Sequence, residues 1–171
     1  MAGPAKENVC FGCGPANSRG MHLAFEYDYE RLRVVGRLRL GAEYQGGPGF
    51  IHGGIVATVL DELMSKVSRF SGVTAVTAEL RVEYLKPVLV DQELYVEGFL
   101  ASREGRQLYH EGEIRDAQGV LLARGKARFV IIDPAEYVKK AKGGAGADAN
   151  SEIAGARNLA PHDDYRTGTF R

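Results

Sequence analysis

The sequence predicts an α+β chain in which a curved antiparallel sheet of about six strands wraps around one long central helix. Three observations lead there. Apolar and polar residues alternate in segment after segment, which is the period of a half-buried strand. The period switches to that of a helix only once, between Gly54 and about Phe70. The order is therefore two strands, one helix, four strands. A single helix cannot cover both faces of such a sheet, so the sheet must curl around it.

Met21 to Tyr27 and Leu32 to Leu40 read as the first two strands, joined by a turn at Asp28–Tyr29–Glu30–Arg31. In the second, Leu32, Val34, Gly36, Leu38 and Leu40 alternate with Arg33, Val35, Arg37 and Arg39. Gly41 to Gly54 holds six glycines and one proline and reads as a loop. Beyond it Val56, Leu60, Leu63 and Val67 share one helical stripe, with Val59 and Phe70 beside it, and Gly72 ends the helix. Val76 to Tyr84 alternates again and is closed by Pro87; Leu94 to Leu100 and Leu108 to Ile114 follow. After a turn at Asp116–Ala117–Gln118–Gly119 comes Val120 to Ile132. Its Leu122, Arg124, Lys126, Arg128 and Val130 form one face, and Leu121, Ala123, Ala127, Phe129 and Ile131 the other.

This organisation gives an irregular lead-in over 1–20, a folded domain over 21–133 and a flexible C-terminal tail over 134–171. Within the tail Ala135 to Lys142 is compatible with a helix, and the rest is rich in Gly, Ala, Asp and Asn. The 171 residues are 44% hydrophobic, enough for one core, and carry 22 basic and 22 acidic side chains. That balance argues against a nucleic-acid partner, while leaving room for a local basic patch. The first residues have no apolar run and include Glu7, so they read as neither signal nor transit peptide. No apolar stretch approaches the roughly 20 residues that cross a bilayer. The expectation is a soluble, cytoplasmic protein with no membrane partner. Cys10 and Cys13 are the only cysteines, so no disulfide framework is implied. They offer two metal ligands, but neither a second Cys-x-x-Cys nor a His pair completes four; a structural loop is the expectation there. His22, His110 and His162 read as packed or surface histidines.

The strongest local signal is Tyr44–Gln45–Gly46–Gly47–Pro48–Gly49–Phe50–Ile51–His52–Gly53–Gly54, running straight into the helix. A helix N-terminus presents unpaired N–H groups, and glycine lets a ligand atom approach them. Such a site suits an anion, or a carbonyl oxygen becoming one. A flexible loop with a glycine helix start explains the composition equally well. Asp61 lies two turns into the helix on the flank of the apolar stripe, near Ala57, Met64 and Ser68. No Lys or Arg lies three or four residues away, so partial burial would raise its pKa and suit it as a general base. A surface acid on a less buried helix is the competing explanation. Glu62 points toward Lys66 and Arg69, an ordinary solvated ion-pair face.

His52–Gly53–Gly54, Asp61, and Thr77–Ala78–Glu79–Leu80–Arg81–Val82–Glu83–Tyr84–Leu85–Lys86–Pro87 together resemble the PaaI-like hotdog thioesterases, acyl-CoA thioesterases that pair a helix Asp with a strand Thr. Cys10–Phe11–Gly12–Cys13–Gly14 with Gly20 resembles the lead-in of many bacterial members. The likeness covers roughly 10–133. It implies a hotdog fold and hydrolysis of an acyl-CoA thioester without metal or cofactor. It implies that the Gly53 N–H polarises the carbonyl, that His52 shapes the loop and contacts the carbonyl, that Asp61 activates water or attacks directly, and that Thr77 helps to hold the water. Gly54, Gln45 and Lys86 are the expected substrate-binding residues, Lys86 toward the CoA phosphates. The likeness also implies an obligate homodimer, or a tetramer as a dimer of dimers, with Asp61 and the Gly53 loop of one site on different copies. Thr77 shares strand parity with Glu79, Arg81 and Glu83, so it faces the site only if the strand start is irregular or abuts the partner. Two other readings stand beside this one: a non-catalytic acyl-CoA-binding domain, and a hotdog hydratase or dehydratase, whose His-Phe-Pro-Gly signature is missing.

Overall fold

The computed structural model describes residues 8–143. The described residues fall into two units, divided between Ile131 and Ile132. In the first, six strands and one long helix follow in the expected order: β1 (Glu26–Asp28), β2 (Arg33–Arg39), α1 (Gly53–Val67), β3 (Ala75–Tyr84), β4 (Glu93–Glu104), β5 (Gln107–Asp116) and β6 (Leu121–Ile131). The strands make one curved antiparallel sheet in the order β1-β2-β4-β5-β6-β3, so β1 and β3 are its edges. In the second unit, α2 (Pro134–Gly143) is capped by Asp133, whose Oδ1 accepts from the Ala135 N–H at 2.8 Å. The remainder of the expected tail, 144–171, lies outside the described residues, as do residues 1–7 of the lead-in. No helix among the described residues is long and apolar enough to cross a membrane.

Helix α1 packs against β2, β3, β4, β5 and β6. Its buried face is Val56, Val59, Leu60, Leu63, Met64 and Val67, the expected stripe with Met64 added. Each large aliphatic side chain removed from water there contributes about 1.5–3 kcal/mol. What lets the helix come so close is a row of glycines. Gly98 of β4 pairs with Gly112 of β5, which pairs with Gly125 of β6. A Cβ on Gly98 would stand 3.0 Å from Leu63 Cγ, one on Gly112 3.1 Å from Met64 Cγ, and one on Gly125 3.0 Å from Met64 Cε. The three glycines form a trough across the central strands, and Leu63 and Met64 fill it. At the C-terminal end of α1 a 3₁₀ turn over Ser68–Ser71 leads to Gly72 at φ +64°, a left-handed cap that favours glycine.

His110 is buried on β5. It stacks at 4.8 Å on the Phe129 ring and its Nδ1 lies 2.8 Å from the Met64 carbonyl oxygen. Burial holds its pKa down to about 4, against the smaller opposing effect of that hydrogen bond. It is a packed histidine, as expected. The opposite face of the sheet carries ion pairs across neighbouring strands: Arg33–Glu97 at 2.9 Å, Arg124–Glu83 at 2.7 Å and Lys126–Glu111 at 3.3 Å. Half-exposed pairs of this kind add little stability, and they keep the outer face polar.

Two boundaries differ from expectation. The first strand begins at Glu26, not Met21. The segment before it pairs with the lead-in instead: the Met21 and Leu23 N–H groups donate to the Phe11 and Gly12 carbonyls at 2.8 Å each. Alternation alone cannot tell these two backbone partners apart. Strands β4 and β5 also run beyond Leu100 and start before Leu108, forming a hairpin through Gly105 at φ +56°. That hairpin end is made of polar residues such as Ser102, Arg103, Glu104 and Arg106, so no apolar period marks it.

The trough yields a graded expectation. Leu63 Cγ is a branch point close to the helix backbone, whereas Met64 Cε is the far end of a flexible chain. Gly98→Ala should therefore destabilise the protein by about 1–3 kcal/mol, and Gly125→Ala by less. Urea denaturation of the two variants beside the parent checks this; equal effects would mean that the helix is not seated against these glycines.

Candidate active site

The loop before α1 is tied down by its own hydrogen bonds. Gln45 Oε1 accepts from the Gly49 N–H at 3.0 Å, and Gly49, at φ +80°, holds a conformation that favours glycine. The Gly46 N–H donates to Phe50 O at 2.9 Å, that of Ile51 to Val88 O at 2.9 Å and that of His52 to Tyr44 O at 2.9 Å. A slack glycine connection is thus not what the composition encodes. The loop is a built turn that delivers His52 to the start of the helix.

His52 is the N-cap of α1. Its Nδ1 accepts from the Gly54 N–H at 2.9 Å, which fixes the tautomer with the proton on Nε2. The His52 carbonyl takes the Ile55 and Val56 N–H groups at 2.9 and 3.2 Å. The Gly53 N–H is then the one amide of the first turn without an acceptor among the described residues. Its own carbonyl is held from the other side by the Tyr84 hydroxyl at 2.9 Å. Tyr84 thus braces the Gly53 peptide, a contact absent from the sequence-based expectations. Its signal was present: Leu80, Val82 and Tyr84 share the inward parity of β3.

Asp61 sits two turns further along α1, half-buried, with its Oδ1 accepting from Thr77 Oγ1 at 2.8 Å. Burial raises its pKa above the ordinary carboxylate value. The Thr77 hydrogen bond works against that rise, and the neighbouring Glu62 charge adds to it. Thr77 reaches Asp61 because β3 is irregular. Its pairing with β6 shifts register between Thr77 and Glu79, a β-bulge with Ala78 as the extra residue. Before the bulge Ala75 and Thr77 face the helix; after it Leu80 and Val82 do.

Glu62 is not on a solvated face. Its side chain is 13% exposed and is ion-paired with Lys66. The turn of the lead-in covers it, with Cys10 Sγ donating to Glu62 Oε2 at 3.7 Å and Lys66 Nζ donating to Cys13 Sγ at 3.1 Å. Burial and the Glu62 carboxylate beside it push the Cys13 thiol up. Burial would also raise Glu62, but Cys13, Lys66 and Cys10 together hold it below its ordinary value. Helical spacing showed the Lys66 pair but not the segment lying over it, which comes from fifty residues away.

The expected site residues therefore fall into two groups. Gln45, His52, Gly53 and Gly54 gather at the mouth of α1, joined there by Tyr84, with exposed Lys86 two residues beyond it. Asp61 and Thr77 form the second group. Asp61 lies eight positions beyond Gly53, about 12 Å along the axis. Within one copy the two groups do not share a reacting atom.

Residues 48–123 match the thioesterase superfamily family model. The chain is 32% identical over 116 residues to the acyl-coenzyme A thioesterase THEM4 of Rattus norvegicus, a match covering 67% of this chain and 50% of that protein. The chain thus spans about half the length of the curated relatives it matches. The crystal structure of a thioesterase superfamily protein matches at a TM-score of 0.68 and 30% identity, over 72% of this chain and 60% of that one. A hypothetical thioesterase of Streptococcus pneumoniae, solved with coenzyme A, shares the fold at a TM-score of 0.56 and 20% identity, over 58% of this chain and 78% of that one. The segment 48–123 is thus a thioesterase superfamily segment, and the six-stranded sheet around one long helix is the hotdog fold.

Proposed function

We propose that the chain is an acyl-CoA thioesterase in which Asp61 is the general base, the Gly53 N–H is the donor to the thioester carbonyl, and each site is shared between two copies of the chain. The observation that carries this reading is the Asp61–Thr77 pair, a half-buried carboxylate with raised pKa whose hydroxyl partner is delivered by a β-bulge. A carboxylate so placed is a stronger base than a solvated one. The rat relative is named an acyl-coenzyme A thioesterase and the pneumococcal neighbour was solved with coenzyme A, which supports the substrate class. Structures of that neighbour with an Asp and a Thr each changed to Ala, sixteen positions apart, carry the same spacing as Asp61 and Thr77.

The chemistry follows from the two groups. Asp61 removes a proton from a water that Thr77 helps to hold, and the water oxygen attacks the thioester carbon. Charge then develops on the carbonyl oxygen, where the Gly53 N–H and the positive end of α1 stabilise it. The C–S bond breaks, the carboxylic acid is released, and the proton on Asp61 passes to the departing CoA sulfur. His52 keeps the loop in register through Nδ1 and presents its Nε2–H outward. Gln45 spans the loop and Gly54 keeps the entrance open, while Lys86 stands where a CoA phosphate would pass.

One copy cannot run this sequence, because base and donor are about 12 Å apart along α1. A second copy related by a twofold axis supplies the missing half. Edge strand β3, ten residues long, offers a place for it, since an open edge is a template for pairing. Phe50, Tyr84, Leu85 and Leu89 add exposed apolar area beside the helix mouth, suited to a partner or an acyl chain.

Three outcomes are expected. Purified protein offered a panel of acyl-CoAs should release free CoA, and Asp61→Asn should lower kcat by on the order of 10²- to 10⁴-fold. Tight acyl-CoA binding with no CoA release would instead favour the non-catalytic domain. Next, a carboxylate whose folded pKa lies above its unfolded one costs stability once pH rises through the folded value. Asp61→Asn should therefore melt above the parent at neutral pH, with the gap closing as pH falls into the carboxylate range; a gap that widens on acidification would contradict the burial assigned to Asp61. Finally, Gly53→Pro removes the N–H while suiting the fold. Position 53 is the first helical residue, His52 is already extended at φ −61° and ψ 135°, and a Cβ there would lie 3.5 Å from Tyr84. Refolded mixtures of inactive Gly53→Pro and inactive Asp61→Asn chains should regain about half of parental activity per heterodimer, because one of its two sites is intact. Heterodimers that stay inactive would sink the shared site.

A further inference from the structure

Among the described residues one group of side chains outside the proposed active site converges as metal ligands do. Cys10 Sγ, Cys13 Sγ and a carboxylate oxygen of Glu62 all lie within 4.8 Å of one another. The two sulfurs come from the lead-in and the carboxylate from α1, so the group exists only in the folded chain. Several features hold it in place. The Cys10–Gly14 turn is closed by the Gly14 N–H to the Cys10 carbonyl at 2.9 Å, and Asn8 Oδ1 accepts from the Cys10 N–H at 3.1 Å. Phe11 and Gly12 are tied to Met21 and Leu23. A Cβ at Gly12 would overlap the Glu62 carboxylate and one at Gly14 the Cys10 backbone, so glycine at both positions brings the turn down onto the helix.

We propose that Cys10, Cys13 and Glu62 bind one thiophilic divalent cation of the zinc type, with a solvent water as fourth ligand on the exposed Cys10 side. Tetrahedral zinc, with Zn–S about 2.3 Å and Zn–O about 2.0–2.2 Å, needs ligand atoms about 3.5–3.8 Å apart. The observed group reaches that spacing by a closure of about 1 Å. Two thiolates and a sulfur-to-oxygen ratio of this kind select zinc or cobalt over calcium or magnesium, which prefer oxygen throughout. The charges also balance. Two thiolates, one carboxylate and a divalent ion sum to −1, and the Lys66 ammonium, already donating to Cys13 Sγ, makes the cluster neutral. Binding releases the two thiol protons to solvent and changes no oxidation state. Glu62 keeps Lys66 on one oxygen and gives the other to the metal. The ion would fasten the lead-in to α1 at the residue next to Asp61. The sequence offered only a Cys-x-x-Cys with no visible completion; the third ligand comes from the helix and is seen only in the fold.

The test uses the full chain, reduced and stripped with chelator, titrated with cobalt(II) and then zinc(II). The expected result is one cobalt per chain with tetrahedral visible bands and a thiolate-to-cobalt charge-transfer absorption, both displaced by zinc, and a higher melting temperature with zinc present. Cys13→Ser should weaken binding roughly tenfold or more and lower the charge-transfer intensity at saturation, because Cys10 alone then supplies thiolate. Glu62→Gln, which keeps the side-chain shape, should weaken binding by a similar factor while leaving thiolate absorption at saturation. The proposal is overturned if the reduced parent takes up no cobalt. It is equally overturned if uptake lacks the charge-transfer band or is unchanged by both substitutions. Formation of a Cys10–Cys13 disulfide in air by a protein that takes up no metal when reduced would replace the metal site with a redox-sensitive turn.

Discussion

The close approach of one helix to one sheet is the constraint on which the rest of this molecule depends. Glycines at 98, 112 and 125 remove three side chains in a row from the concave face of the central strands, and Leu63 and Met64 occupy the space. With bulky residues there the helix would ride higher and its flanks would lift from the strands beside it. Asp61 would then lose contact with Thr77 at the sheet edge, and the Tyr84 hydroxyl would no longer reach the Gly53 carbonyl. The hydrogen bonds that define the site are thus set by the absence of side chains some distance from it.

Much of this was legible in the sequence because it rests on period and order. The single change from strand to helix spacing, placed after two strands and before four, located α1 and its buried face to within a residue or two. The glycine-rich run into His52 identified the helix mouth, and the flank position of Asp61 foretold its partial burial and raised pKa. What periodicity could not supply was anything decided by a partner distant in the chain. Met21 and Leu23 alternate like strand residues, but pair with the lead-in. Glu62 has an unexceptional helical neighbour in Lys66, yet lies beneath a turn that begins at Cys10. The polar tip of the β4–β5 hairpin has no apolar alternation to be read.

The first turn of α1 divides its amides between structure and chemistry. His52 satisfies Gly54 with its ring and Ile55 and Val56 with its carbonyl, so the cap consumes three donors and leaves that of Gly53. A serine or aspartate cap could make a similar bond. An imidazole in that role also sets which ring nitrogen carries the proton and presents an N–H on the side away from the helix. The histidine in the loop is accordingly a folding residue first, and any contact it makes with a ligand comes through the nitrogen that the cap leaves over.

The extra residue in β3 has a consequence for how this strand can change over time. In a regular strand every side chain is locked to the same alternation, so sliding one residue inward turns all the others outward. Here the strand is split at Ala78 into two independently phased segments. The upstream one carries Ala75 and Thr77 toward the helix flank, and the downstream one carries Leu80 and Val82 into the core. Variation upstream can alter the depth or tilt of the hydroxyl beside Asp61 without repacking the interior, and variation downstream can adjust the interior without moving that hydroxyl. The bulge acts as a clutch between the part of the strand that partners Asp61 and the part that keeps the domain folded.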